Sequence, residues 1–235
     1  MHIPDGLIDG STSAAAGVIA AGGVGVCLKK AAVTMQEKDV ALAGLVSAFV
    51  FAAQMLNFPV ASGTSGHLLG GLLAAVLVGP WLGALSVSVV LFVQGLVFAD
   101  GGLSALGLNI INMALVPALV GYVIFRTVRL LVPRSHGGVV AAAGIAGALS
   151  VVLASLVFTL EYALGGTGGA PVATVFGAMV GVHILIGIGE GIITALTVGV
   201  VLAVRPDLVY GAQDLEPDLE LRPRVVATAT PGGGG

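Results

Sequence analysis

Apolar residues fall along this chain in long runs separated by short polar or glycine-rich breaks, and runs of that length predict helices able to cross a bilayer. They cover residues 11–28, 40–57, 66–79, 81–99, 107–131, 138–163 and 177–204, which makes seven helices. The third run has 14 residues and would rise only roughly 21 Å at 1.5 Å per residue. It is therefore expected either to borrow length from its flanks or to enter the membrane partway. The expected fold class is an all-α polytopic membrane protein with about seven transmembrane helices. Residues 11–205 form that helical domain, 1–10 an N-terminal segment, and 206–235 a disordered tail.

Charge supplies the orientation. Nine basic residues stand in three groups: Lys29, Lys30 and Lys38 after the first run, Arg126, Arg129 and Arg134 after the fifth, and Arg205, Arg222 and Arg224 after the seventh. Cytoplasmic loops collect Lys and Arg, and seven crossings with the N-terminus outside put all nine in the cytoplasm together with the C-terminus. The acidic stretch DLEPDLE and the closing PGGGG fit a disordered cytoplasmic end. The same topology gathers the polar segments 1–10, 58–67, 100–107 and the glycine-rich 165–171 on the outer face. Gly79-Pro80 is expected as a tight turn on the inner one.

Composition agrees with lipid as the solvent. With 57% hydrophobic and 9% charged residues, the chain is too apolar for a soluble core of 235 residues, and a multi-pass inner-membrane protein is expected. The 37 glycines lie inside apolar runs without a collagen period, where small residues let helices approach closely, as at Ala16, Gly17, Ala20, Ala21 and Gly25. Cys27 is alone, so no disulfide forms within one chain, and it reads as a small buried hydrophobe. The net charge of −3 identifies no partner, and no nucleic-acid partner is expected. The start lacks a basic region and a cleavage signal, so the N-terminus should survive, and the bulk of His2 disfavours removal of Met1.

That start carries the candidate chemistry. A chain beginning Met-His offers an amine nitrogen, the His2 amide nitrogen and the His2 Nδ1, which close two fused chelate rings on one metal. Ni(II) and Cu(II) can displace the amide proton and favour such a planar nitrogen field, which one more imidazole completes. His67, at the outer end of the third run, is the first candidate and His183, near the outer part of the seventh, the second. His136 falls on the inner side. Pro4-Asp5-Gly6 makes a turn that can fold the segment back between helix ends.

Several other polar residues bear on this site. Glu190 lies two helical turns past His183 on the same face and is expected to pair with Asn109 or Asn112, or to anchor packing around the site. Asp100 and Glu161 stand near the outer boundary; Asp100 serves either to attract a cation or to end a helix. Asn57, Ser62, Thr64 and Ser65 are candidates for orienting His67. A competing enzyme reading takes Gly63-Thr64-Ser65-Gly66 as the serine motif of a rhomboid-like intramembrane protease with a Ser65/His183 dyad, but it leaves the Met-His start unused.

The segments MHIPDG (1–6), LNFPVASGTSGHLLGG (56–71), GPW (79–81), FADGGLSALGLNIINMA (98–114) and HILIGIGEGIIT (183–194) resemble the NikM/CbiM family, the nickel/cobalt-binding membrane subunits (S components) of energy-coupling-factor ABC transporters. The resemblance implies a seven-helix subunit whose N-terminus is inserted into the core. It implies a transported Ni(II) or Co(II) held by the Met1 amine, the His2 amide and ring, and the His67 ring, with no catalytic cofactor. Its implied partners are a membrane T component, ATP-binding A components and a small accessory membrane subunit. The chain has no phosphate-binding loop, so ATP hydrolysis falls to those partners and the chain itself is no enzyme. The GTSGHLLGG form resembles nickel-type members, which makes nickel the expected cargo and cobalt uptake for cobalamin synthesis the alternative.

Overall fold

The structure, a computed structural model, describes residues 1–35, 37–56, 58–59 and 65–215, with the side chains of Phe58, Pro59 and Ser65 outside the description. Helices follow the apolar runs: α1 (Gly10–Thr34), α2 (Glu37–Gln54), α3 (Gly71–Val78), α4 (Pro80–Val97), α5 (Leu106–Ile110), α6 (Gly121–Arg129), α7 (His136–Gly165) and α8 (Val172–Val204). A π-helical stretch, Ile111–Val120, joins α5 to α6, so Leu106–Arg129 runs as one rod of 24 residues with Pro117 inside it. The wider π turn accommodates a proline that lacks the amide hydrogen an α-helix requires there. A two-residue antiparallel pair, β1 (Phe58–Pro59) with β2 (Ser65–Gly66), precedes α3.

Among the described residues, five helices are long and apolar enough to cross a membrane: α1, α4, the Leu106–Arg129 rod, α7 and α8. The other two expected spans differ from them. α2 has 18 residues but carries Glu37, Lys38 and Asp39 in its first turn. The third run departs most from a spanning helix. Only eight of its residues are helical, a rise of about 12 Å against a hydrocarbon core of about 30 Å. The stretch before α3 cannot continue the helix, because the Leu69 and Gly70 amides donate to Glu190 instead of to a preceding turn.

Packing explains why so short a helix persists. Every residue from Gly71 to Leu77 is buried, so α3 is a central post surrounded by α4, α7, the π stretch and the 3-10 turns near the C-terminus. The largest packed pair is α7 with α8, where Gly144 faces Gly191. A Cβ on Gly191 would sit 2.6 Å from the Gly144 carbonyl oxygen, so only glycine permits that approach. Large aliphatic side chains such as Ile19, Leu45, Val123, Leu196 and Val200 point outward, which is how a bundle meets lipid. Cys27 is buried, as expected.

The polar segments sort to two ends. At one end the N-terminal segment meets the loops after α4 and α7: Gly102 N–H donates to the Ile3 carbonyl (2.8 Å), Asp9 N–H to Gly165 (2.7 Å) and Thr167 N–H to Leu7 (3.0 Å). At the other end Thr34, Lys38, Gly79, Pro80, Asp207 and Tyr210 line a common cavity. Gly79-Pro80 is the tight turn expected, with Gly79 at φ +88° and Pro80 opening α4. Residues 206–215, expected as part of a disordered tail, instead form two 3-10 turns, Pro206–Leu208 and Tyr210–Leu215. Val209 and Ala212 are buried there, and Arg129 pairs with Asp214 at 2.9 Å. The acidic and glycine-rich remainder of the tail lies outside the described residues.

Candidate metal centre

Three loops and the start of the chain build the site. Ile3, 1% exposed, packs against Ala105, Leu108, Phe158 and Tyr162 and so draws the N-terminus inward. Its backbone is held by Asn109: Ile3 N–H donates to Oδ1 (2.7 Å) and Nδ2 donates to the Ile3 carbonyl (3.2 Å). Gly101, at φ +93°, turns the loop after α4 under His2; a Cβ there would lie 3.3 Å from His2 Cδ2 and 3.0 Å from Asn109 Nδ2. Farther out, Asp5 accepts from the Ser104 amide (2.8 Å) and hydroxyl (2.6 Å), bonds that hold its carboxyl below the usual aspartate range. The Pro4-Asp5-Gly6 turn thus has an anchor of its own, with Gly6 at φ +82°.

The inserted end reaches His67. The Met1 amine lies 2.6 Å from His67 Nε2, and the rings of His2 and His67 stack with centroids 5.0 Å apart and planes 29° apart. The other nitrogen of His67, Nδ1, lies 2.8 Å from the Leu68 carbonyl and donates to it, which leaves Nε2 as the nitrogen with a free pair toward Met1. Both ring nitrogens of His2 face acceptors: Nε2 lies 3.2 Å from Gln94 Oε1 and Nδ1 lies 3.4 Å from Asp100 Oδ1. Burial, opposed in part by Asp100, pulls the Met1 amine from its ordinary value of 8.0 to about 5. Burial also lowers His2, with the neighbouring amine adding to the effect. At neutral pH this end of the chain is a cluster of uncharged nitrogen donors.

Glu190 supports the segment that follows His67. It is 1% exposed, and its two oxygens accept from the amides of Leu69 (2.6 Å) and Gly70 (2.8 Å). The expected pairing with Asn109 or Asn112 is not made: Asn109 serves Ile3, and Asn112 Nδ2 donates to Glu161 at 2.5 Å. Backbone amides of an irregular segment outcompete side chains here because they have no other partner in a dry interior. Asp100 stands beside His2, so it belongs to the site and does more than end a helix. Ser65 contributes backbone to β2; Asn57, Ser62 and Thr64 lie outside the described residues. His183 is buried in α8 with Nδ1 2.7 Å from the Met179 carbonyl.

Gln94 and Asn109 are the contributors that reading the sequence missed in these roles. Gln94, fully buried in α4, was legible only as a lone amide in an apolar run. Among the described residues no three His, Cys, Asp or Glu side chains converge on a common point.

The chain matches the CbiM family, described as the cobalt uptake substrate-specific transmembrane region, over residues 2–208. It is 41% identical over 209 residues to a putative fused nickel transport protein NikMN of Archaeoglobus fulgidus, covering 89% of this chain and 68% of that one. It is 38% identical to a putative metal transport protein of Haloquadratum walsbyi, across 94% of this chain and all of the relative. A cobalt transport protein CbiM of Sorangium cellulosum is 36% identical over 170 residues, covering 70% and 74% of the two chains. Among solved structures, a truncated transition metal transporter superposes with a TM-score of 0.77 at 33% identity, covering 86% of this chain and 99% of that one. These relatives are transport proteins, and none of them supports the protease reading of Ser65 and His183.

Proposed function

The chain belongs to the CbiM/NikM family of nickel and cobalt transport membrane components, and from that premise we propose that it captures the ion with its own N-terminus. In this reading it is the S component of an energy-coupling-factor ABC transporter, with nickel as preferred cargo. The ligands are the Met1 amine, the His2 amide nitrogen and Nδ1, and His67 Nε2. The observation that carries it is the 2.6 Å separation of Met1 N and His67 Nε2 in a buried, uncharged setting. Nitrogens bonded at about 2.0 Å and at right angles around one ion lie about 2.8 Å apart, so the two atoms already stand near adjacent corners of a square. The Leu68 carbonyl holds the proton on His67 Nδ1 and leaves Nε2 free, and a His2 ring that donates its Nε2 proton to Gln94 presents Nδ1 to the ion, the division of labour by which outer partners orient metal ligands.

Nickel is favoured because a planar field with a deprotonated amide suits Ni(II), and because the relatives include fused nickel transport proteins. The membrane arrangement in this reading is seven passes with the N-terminus outside and the C-terminus inside, α3 and its extended lead-in counting as one pass. Its support is the gathering of the described basic turns at the end opposite Met1. Capture then happens from outside. Release requires lifting the N-terminal segment from His67, with energy from partner ATPases coupled through a T component and a small accessory subunit.

The test is a protein carrying one extra residue before Met1, compared with the native start verified by intact mass. Blocking the amine arm of a chelate removes an intramolecular ligand, so affinity for nickel is expected to fall roughly 100-fold or more. Stoichiometric binding at native affinity by the extended protein would refute the reading. Competition with Co(II) on the native protein tests the nickel preference.

A further inference from the structure

His183 has the wiring of a metal ligand without a ligand's occupation. Its Nδ1 bonds to the Met179 carbonyl at 2.7 Å, which places the proton there and leaves a lone pair on Nε2. That Nε2 is buried, in a residue 5% exposed, and has no hydrogen-bond partner among the described residues. An unsatisfied buried acceptor is costly and calls for a reason. His67 shows the same pattern, Nδ1 tied to a backbone carbonyl and Nε2 facing the site. The other buried polar atoms without partners, Gln54 Oε1, Asn112 Oδ1 and Thr194 Oγ1, are oxygens; His183 offers the borderline nitrogen that nickel and cobalt prefer.

Position points the same way. Glu190 fixes Leu69 and Gly70 against α8. Met1 and Met179, one turn from His183, pack in the same apolar cluster, and His183 interacts electrostatically with both the Met1 amine and His67.

We propose that His183 Nε2 is a transfer ligand for the transported divalent metal, taking it together with His67 as the N-terminal segment withdraws. The proposal rests on the capture reading above: three of the four capture ligands leave with residues 1–2, and a second imidazole beside His67 keeps the ion from being stranded on a single side chain. His183 is not needed for the resting square-planar complex, so its role is visible only when the amine arm is removed.

The experiment titrates Ni(II) into four detergent-solubilised proteins: the native start, the one-residue extension, His183→Gln, and the extension combined with His183→Gln. The native start and His183→Gln alone are expected to bind within about threefold of each other, which also verifies that the variant folds. The extended protein is expected to keep a weak site, roughly 100-fold or more below native, whose nickel is paramagnetic because two imidazoles and water do not enforce a planar field. Adding His183→Gln should weaken that residual site by at least about tenfold. Survival of the residual site in the combined variant, or its absence from the extended protein, would overturn the transfer role. Native affinity in the extended protein would instead overturn the capture reading.

Discussion

Asn109→Ala isolates what holds the N-terminus in the bundle. Asn109 is 2% exposed and makes two bonds to Ile3. They are not equivalent. The Ile3 carbonyl keeps the Gly102 amide (2.8 Å) when the side chain is cut away, whereas the Ile3 N–H loses its partner. A buried donor left unsatisfied costs about 1–3 kcal/mol, and since it is satisfied again by water once the segment lifts out, that whole amount falls on docking. At about 1.4 kcal/mol per tenfold, nickel affinity should drop roughly 5- to 150-fold. Calorimetric titration of the protein with its native start measures it. A thermal melt belongs beside it, because the helices that form the bundle do not use this bond and the melting midpoint should move little. Affinity within about twofold of the parent, at an unchanged melting point, would refute the claim that Asn109 positions the metal-binding end.

The lowered Met1 amine sets a proton count. With a value of about 5 it is already neutral at pH 7, so nickel binding should release about one proton, from the His2 amide; an amine at 8.0 would add nearly a second. Calorimetry in buffers of different ionisation enthalpy reads the number, and two protons would contradict the burial of the amine. Because the docked amine binds fewer protons than the free one, docking should strengthen as pH rises from 5 to 8 and weaken as it falls back. Protection of the Met1 amine from acylating reagents, followed by mass spectrometry, tracks this. Glu190→Gln exchanges one acceptor facing the Leu69 and Gly70 amides for a donor. It should lower the melting temperature and weaken nickel binding by about tenfold through misplacement of His67; unchanged values in both would remove Glu190 from the site's support.

Much of this protein is written in one dimension. Transfer of apolar side chains to lipid depends on local composition, so the helical runs were legible, as was the chelating power of Met-His, which needs only two adjacent residues. His67 was legible because it ends a polar segment. What the sequence could not supply is whatever depends on residues far apart in the chain. That α3 is a buried eight-residue post follows from Glu190, some 120 positions away, taking the amides that would have extended the helix. The tautomer of His67 was undecided until the Leu68 carbonyl came within bonding distance of Nδ1. The neutrality of the Met1 amine exists only because the folded bundle closes over it. Hydrophobicity is a property of each residue and adds up along the chain; hydrogen-bond choice, protonation and burial are properties of a neighbourhood, and only the tertiary structure creates one.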